Sequence, residues 1–119
     1  MVIEITLPEK VSMNKVRGMN KWKWHALAQL FHEEVIELKG KIAITKYPVE
    51  IFYDYHWTKK PLDSINSALM SKLLEDGLVK AGVLVDDSER YVRRSVLQTQ
   101  RSNKYEHDTV VITITTLYN

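Results

Sequence analysis

Asp63, Lys72, Asp86 and Asp87 lie in a single stretch of this chain, Pro61 to Glu89, at spacings that suit a shared chemical role. Asp63 precedes a helical pattern and Lys72 lies within it. The adjacent pair Asp86 and Asp87 follows a glycine and a short apolar run, Val83 to Val85. Carboxylate oxygens are the ligands that hard divalent cations take, and a lysine beside them can counter charge building on a phosphate. Together they suit metal-dependent phosphodiester chemistry. Adjacent carboxylates on a regular strand point to opposite faces, so both can address one ion only if the backbone bends there. Ser88 and Glu89 make such a bend an expectation.

The element that must position these groups is a helix of about five turns. At about 100° per residue, Leu62, Ile65, Leu69 and Leu73 share one arc and Ser64, Ser67, Ser71 and Glu75 the opposite one. The spacing predicts a buried apolar face and a wet polar one. Asp63 suits the N-cap, where a carboxylate accepts from unpaired backbone N–H groups and meets the positive end of the helix dipole. Gly82 stands where the helix should end. Lys72 and Asp76 are spaced for an i, i+4 ion pair. Asp76 falls within the apolar arc, where a carboxylate is costly unless paired.

The whole segment reads Lys72-Leu-Leu-Glu-Asp76-Gly-Leu78-Val-Lys-Ala81-Gly82-Val-Leu-Val-Asp86-Asp87, preceded by Asp63. This order resembles the RusA-like family of Holliday junction resolvases over roughly a quarter of the chain. The resemblance implies Asp63 and Asp87 as the main ligands of Mg²⁺, with Mn²⁺ as a substitute, Asp86 as a third ligand, and Lys72 as the catalytic lysine. It also implies a homodimer. There is a departure: the family's usual Asp-x-Asp-Asn before the helix reads Pro61-Leu62-Asp63-Ser64 here, so the first acid is missing.

The chain has 119 residues, no cysteine and a formal charge of +2. One domain with one core is expected from that length, and disulfides and thiolate zinc sites are excluded. No apolar run reaches the ~20 residues that span a bilayer, and no signal-peptide pattern opens the chain, so a cytoplasmic protein without a membrane partner is expected. With so modest a net charge, affinity for nucleic acid must come from local basic patches. Lys15, Arg17, Lys21 and Lys23, with Trp22 and Trp24 among them, form one; Lys59 and Lys60 lead up to Asp63; Arg90, Arg93 and Arg94 follow the Asp-Asp pair. Cations for phosphates and indoles for bases suit a DNA surface, although either tryptophan could instead anchor a core.

Around the central segment, periodicity predicts strands at 2–7, 42–45, 49–57, 90–100 and 109–116, and a second helix at 21–38 burying Leu27, Leu30, Phe31, Val35 and Leu38. In the strand 49–57, Ile51, Tyr53, Tyr55 and Trp57 alternate with Phe52, Asp54 and His56, which puts one strongly apolar side inward. In the last strand Val111 is expected to face the core with Thr113 or its neighbours. The fold class expected is α+β: a mixed β-sheet with two helices packed mainly on one face, in a single RusA-like domain spanning residues 1–119.

Two functions fit these features. One is a Mg²⁺-dependent endodeoxyribonuclease that resolves branched DNA, the four-way junction, in recombination and repair. The other is a catalytically weakened DNA-binding protein of the same fold, motivated by Pro61 standing in place of the family's first acid.

Overall fold

The computed structural model describes residues 1–118. Along the chain come β1 (Val2–Thr6), α1 (Met13–Val16), α2 (Lys21–Ile36), β2 (Val49–Trp57), α3 (Ser64–Lys80), β3 (Val92–Arg101) and β4 (Thr109–Thr116). The strands form one four-stranded mixed sheet in the order β1-β4-β2-β3. β2 is parallel to β3 and antiparallel to β4, and β4 is antiparallel to β1. Parallel neighbours need a crossover, and α3 supplies the one from β2 to β3. The fold is α+β, with α2 and α3 packed on one face of the sheet.

The alternation of β2 decides which face that is. Ile51, Tyr53, Tyr55 and Trp57 are fully buried and join Leu27, Phe31 and Val35 of α2 and Met70, Leu73, Leu74 and Leu78 of α3 in one core. Each such side chain contributes about 1.5–3 kcal/mol on burial. Two tyrosines of β2 also hydrogen-bond to α3: the Tyr53 hydroxyl donates to Glu75 Oε1 at 2.7 Å, and the Tyr55 hydroxyl lies 2.8 Å from Ser71 Oγ.

Those tyrosines explain the first difference from the expected pattern. Ser67 and Ser71, expected to be wet, are buried at 0% and 5% exposure, whereas Ile65 is 79% exposed. A hydroxyl can be buried when it is satisfied, and Ser67 Oγ donates to the Asp63 carbonyl while Ser71 meets Tyr55. The helix is therefore rotated toward its small polar side. In α2, Leu30 is exposed rather than buried, while Trp24 packs partly against the core and Trp22 stands 82% exposed.

Residues 42–45 form no strand. Their ladder reduces to one bond, from the Ile44 N–H to the Val83 carbonyl at 2.8 Å, and the Ile44 carbonyl accepts from the Tyr47 hydroxyl instead. In β4 it is Val110, Ile112 and Ile114 that are buried, and Val111 and Thr113 face the other way. Both sides of that strand are β-branched, so its pairing with β2 and not its composition sets the register. Among the described residues no helix is long and apolar enough to cross a membrane.

Candidate functional site

α3 begins and ends as its terminal residues dictate. Asp63 is the N-cap: Oδ1 accepts from the Asn66 N–H at 2.8 Å and Oδ2 from the Asn66 side-chain amide at 3.0 Å. At the other end Gly82 takes φ 76°, a conformation that suits glycine, and the Val83 N–H turns back to the Leu78 carbonyl. The chain then returns along the helix. Ile44 holds Val83, and the Tyr47 hydroxyl accepts from the Val85 N–H at 3.0 Å. A turn follows in which the N–H groups of Tyr91 and Val92 both donate to the Ser88 carbonyl at 2.9 Å.

This return path delivers Asp87 to the flank of α3. Lys72 Nζ donates to Asp87 Oδ2 at 2.7 Å and to Asp76 Oδ1 at 2.9 Å. The i, i+4 pair is present, and Asp87 joins it from outside the helix. Asp76 is half-buried at the margin of the core, paired with Lys72. The Lys72 hydrogen bond, more than anything else, holds the Asp87 carboxyl below the usual carboxylate range, and the bonds that Lys72 donates to Asp87 and Asp76 push its ammonium up. Glu75 is pushed the other way. Burial raises it, against the bond it accepts from Tyr53.

Two further groups line the same place. A cleft of about 240 Å³ opens between α2 and α3, walled by His32, Asp76, Val79, Lys80 and Asp87. His32 Nδ1 lies 3.3 Å from Lys80 Nζ, and its Nε2 is buried with no protein partner among the described residues. Burial and then the Lys80 charge lower the His32 pKa, which favours the neutral ring, with Asp76 opposing them in part. Neither residue emerges from sequence spacing. The signal available was Gly77, a glycine in a helix interior, which marks a close approach. A Cβ there would stand 2.6 Å from Val35 Cγ2 and 3.3 Å from His32 Cα.

The expected ligand set is brought together only in part. Asp86 and Asp87 adjoin each other, with Asp86 exposed. Asp63 does not join them. The rise of α3 from Asp63 to Asp76 is about 20 Å, and Asp87 is tied to the Asp76 end through Lys72. Oxygens that share one Mg²⁺ lie no more than about 4 Å apart, since each is about 2.1 Å from the ion. As placed, the Asp63 and Asp87 carboxylates of one chain stand too far apart to share one ion. Accordingly, among the described residues no three His, Asp or Glu side chains converge as metal ligands.

Of the expected DNA contacts, Lys15, Arg17, Lys21 and Lys23 are all exposed around α1 and the start of α2, with Lys15 paired to Glu9 at 3.2 Å. Lys59 and Lys60 are exposed between β2 and Asp63. Arg90 lies over the Tyr91 ring, Arg93 Nε donates to the Glu89 carbonyl, and Arg94 pairs with Glu50. Asp54 and His56 pair with each other at 3.0 Å on the sheet face opposite the helices, away from this cleft.

The Lys72 to Asp87 contact is exposed, with the lysine side chain 57% accessible, and contributes no more than about 1 kcal/mol. Because the folded-state pKa of Asp87 is lowered, that contribution is present above the ordinary carboxylate range and is lost as pH falls through the depressed value. Lys72→Ala is therefore expected to shift the melting temperature at neutral pH by only a few degrees. The same substitution should make no difference to stability in strong acid. Thermal melts of both proteins at two pH values check this.

No protein-family model matches the chain, and no curated protein matches it at a significant level.

Proposed function

We propose that this protein is a Mg²⁺-dependent endodeoxyribonuclease that cuts branched DNA, of the Holliday junction resolving type. One observation carries the reading: Lys72 of α3 and the second aspartate of the Asp86–Asp87 pair are in direct contact at 2.7 Å across fifteen residues of sequence. The two parts of the motif that the RusA-like resemblance couples are thus neighbours in space. A bound Mg²⁺ would activate the attacking water and stabilise charge on the scissile phosphate. Lys72 keeps a positive charge beside Asp87, where it can counter the charge that grows on that phosphate.

One chain does not fit the full ligand set, because Asp63 is too far from Asp87. The homodimer implied by the resemblance offers the remaining arrangement, with Asp63 of one copy beside the Asp86–Asp87 pair of the other. Both halves carry an uncovered aliphatic for a second copy to bury: Ile65, 79% exposed, follows Asp63, and Val85, 61% exposed, precedes Asp86. Two equivalent sites related by a two-fold axis suit a four-way junction, in which two equivalent strands are cut.

The basic groups supply the binding. Lys15, Arg17, Lys21 and Lys23 at one end, and Lys59, Lys60, Arg90, Arg93 and Arg94 elsewhere, are exposed for phosphate contact, and the Trp22 indole is free to stack. Affinity should fall steeply with salt, since each neutralised phosphate releases about 0.9 counterions. A four-way junction should be bound in preference to linear duplex of equal length. Gel-shift titrations at several salt concentrations test this, and equal affinity for both DNAs would remove the support for junction specificity.

The second reading is a DNA-binding protein of weakened catalysis. The observation that favours it is the Lys72 ammonium itself, which already occupies one oxygen of each of Asp76 and Asp87. Saturable Mg²⁺ binding that requires Asp87 separates the two.

A further inference from the structure

We infer that Lys80, held at the cleft between α2 and α3 by His32, contacts the phosphate of the strand to be cut. This contact rests on the nuclease reading and adds to it a residue that the motif does not assign. The two lysines at the cleft differ in their surroundings. Lys72 is bound by two carboxylates, whereas Lys80 makes no ion pair among the described residues and has His32 as its hydrogen-bonding neighbour. An ammonium can only donate, so His32 Nδ1 accepts and the ring carries its proton on Nε2. A neutral imidazole fixes the position of the lysine without cancelling its charge.

The fold places His32 there for a definite reason. Gly77 lets α2 approach α3 until a Cβ at that position would stand 3.3 Å from His32 Cα and from the ring. The cleft of about 240 Å³ then has Lys80 on one wall and Asp87 on another. Its walls carry two carboxylates, Asp76 and Asp87, and one ammonium, Lys80, with Lys72 bonded to both carboxylates from beside the cleft. A divalent cation held by the Asp86–Asp87 pair would turn the charge of this lining from negative to positive, and a phosphodiester is the anion that such a cleft beside the cutting site would take. Lys80 acts here as a fixed charge on a non-bridging oxygen and transfers no proton.

Steady-state cleavage of a four-way junction in Mg²⁺, with Lys80→Ala, Lys80→Arg, His32→Gln and His32→Phe beside the wild-type protein, tests the contact. Lys80→Ala should lower kcat/KM by about 100-fold, the loss typical of one charge-stabilising donor, with the melting temperature nearly unchanged. Lys80→Arg should recover most of it. His32 is a positioning residue, so His32→Gln, whose amide oxygen can still accept from Lys80, should lower kcat less than His32→Phe. A Lys80→Ala protein with wild-type kcat/KM overturns the proposal and leaves the nuclease reading standing. Should the wild-type protein cut no DNA, the probe becomes inorganic phosphate with Mg²⁺ present, read by the His32 imidazole NMR signal. A shift in wild type that is absent in Lys80→Ala supports a phosphate contact independent of cutting, and an unmoved wild-type signal overturns it.

Discussion

Asp87→Asn and Asp63→Asn should each abolish strand cutting while leaving junction binding intact. Loss of even a hydrogen-bonding partner of a metal ligand costs 10–100-fold, so loss of a ligand should exceed about 100-fold. Binding should hold or improve, because removing a carboxylate also removes repulsion against phosphates. The distance between Asp63 and Asp87 adds a sharper expectation. When the two inactive proteins are mixed and allowed to exchange subunits, each mixed dimer contains one site with both wild-type aspartates and one with neither. Cutting of one strand should therefore return in the mixture. If each site lay within one chain, every site in the mixture would lack an aspartate and no activity would return. Asp86→Asn should be milder than either, and an equal loss would make Asp86 a main ligand.

The second large effect is at Gly77. A leucine there should prevent cooperative folding, and an alanine should lower stability by up to about 2 kcal/mol. Alanine is the better helix former by about 1 kcal/mol, so helix propensity alone predicts stabilisation. Packing opposes it. The new Cβ would meet Val35 Cγ2 at 2.6 Å, and Val35 is fully buried and β-branched, so its χ1 is stiff. Overpacking of this kind costs about 1–3 kcal/mol, which outweighs the propensity gain. Urea denaturation of Gly77→Ala measures the balance. A more stable variant would show that α2 and α3 do not approach as described, and with that His32 would lose its reason to sit beside Lys80.

How much of this was legible in the sequence depended on whether the deciding partner was near or far along the chain. The bounds of α3 were readable because Asp63 and Gly82 act on their own neighbours, through a cap and a left-handed turn. The inward face of β2 was readable because Ile51, Tyr53, Tyr55 and Trp57 alternate cleanly with residues of another kind. β4 offered no such contrast: Val110 and Val111 are the same residue, and only pairing with β2 separates them. The rotation of α3 was hidden for a related reason, since Ser71 becomes a core residue only through the hydroxyl of Tyr55 on another element.

The candidate site divides in the same way. The Lys72 to Asp76 pair follows from helical spacing alone. The Lys72 to Asp87 contact could not be derived from periodicity, because it depends on the path of residues 83–87 back along the helix, and the RusA-like resemblance implied only that both residues serve one site. The remoteness of Asp63 could have been read, however. A helix that starts at Asp63 and carries Lys72 places about 13 Å of rise between them. His32 and Lys80 lie on two different helices, and the contact between them exists only because Gly77 brings those helices together.

The most direct measurement is cleavage of a synthetic four-way junction by the purified protein, with Mg²⁺ and with a chelator, against linear duplex of the same sequence. The expected result is cutting of two opposed strands of the junction in Mg²⁺, none in chelator, and an intact duplex. A protein that binds the junction but leaves every strand uncut in both Mg²⁺ and Mn²⁺ would contradict the nuclease and leave a DNA-binding protein in its place.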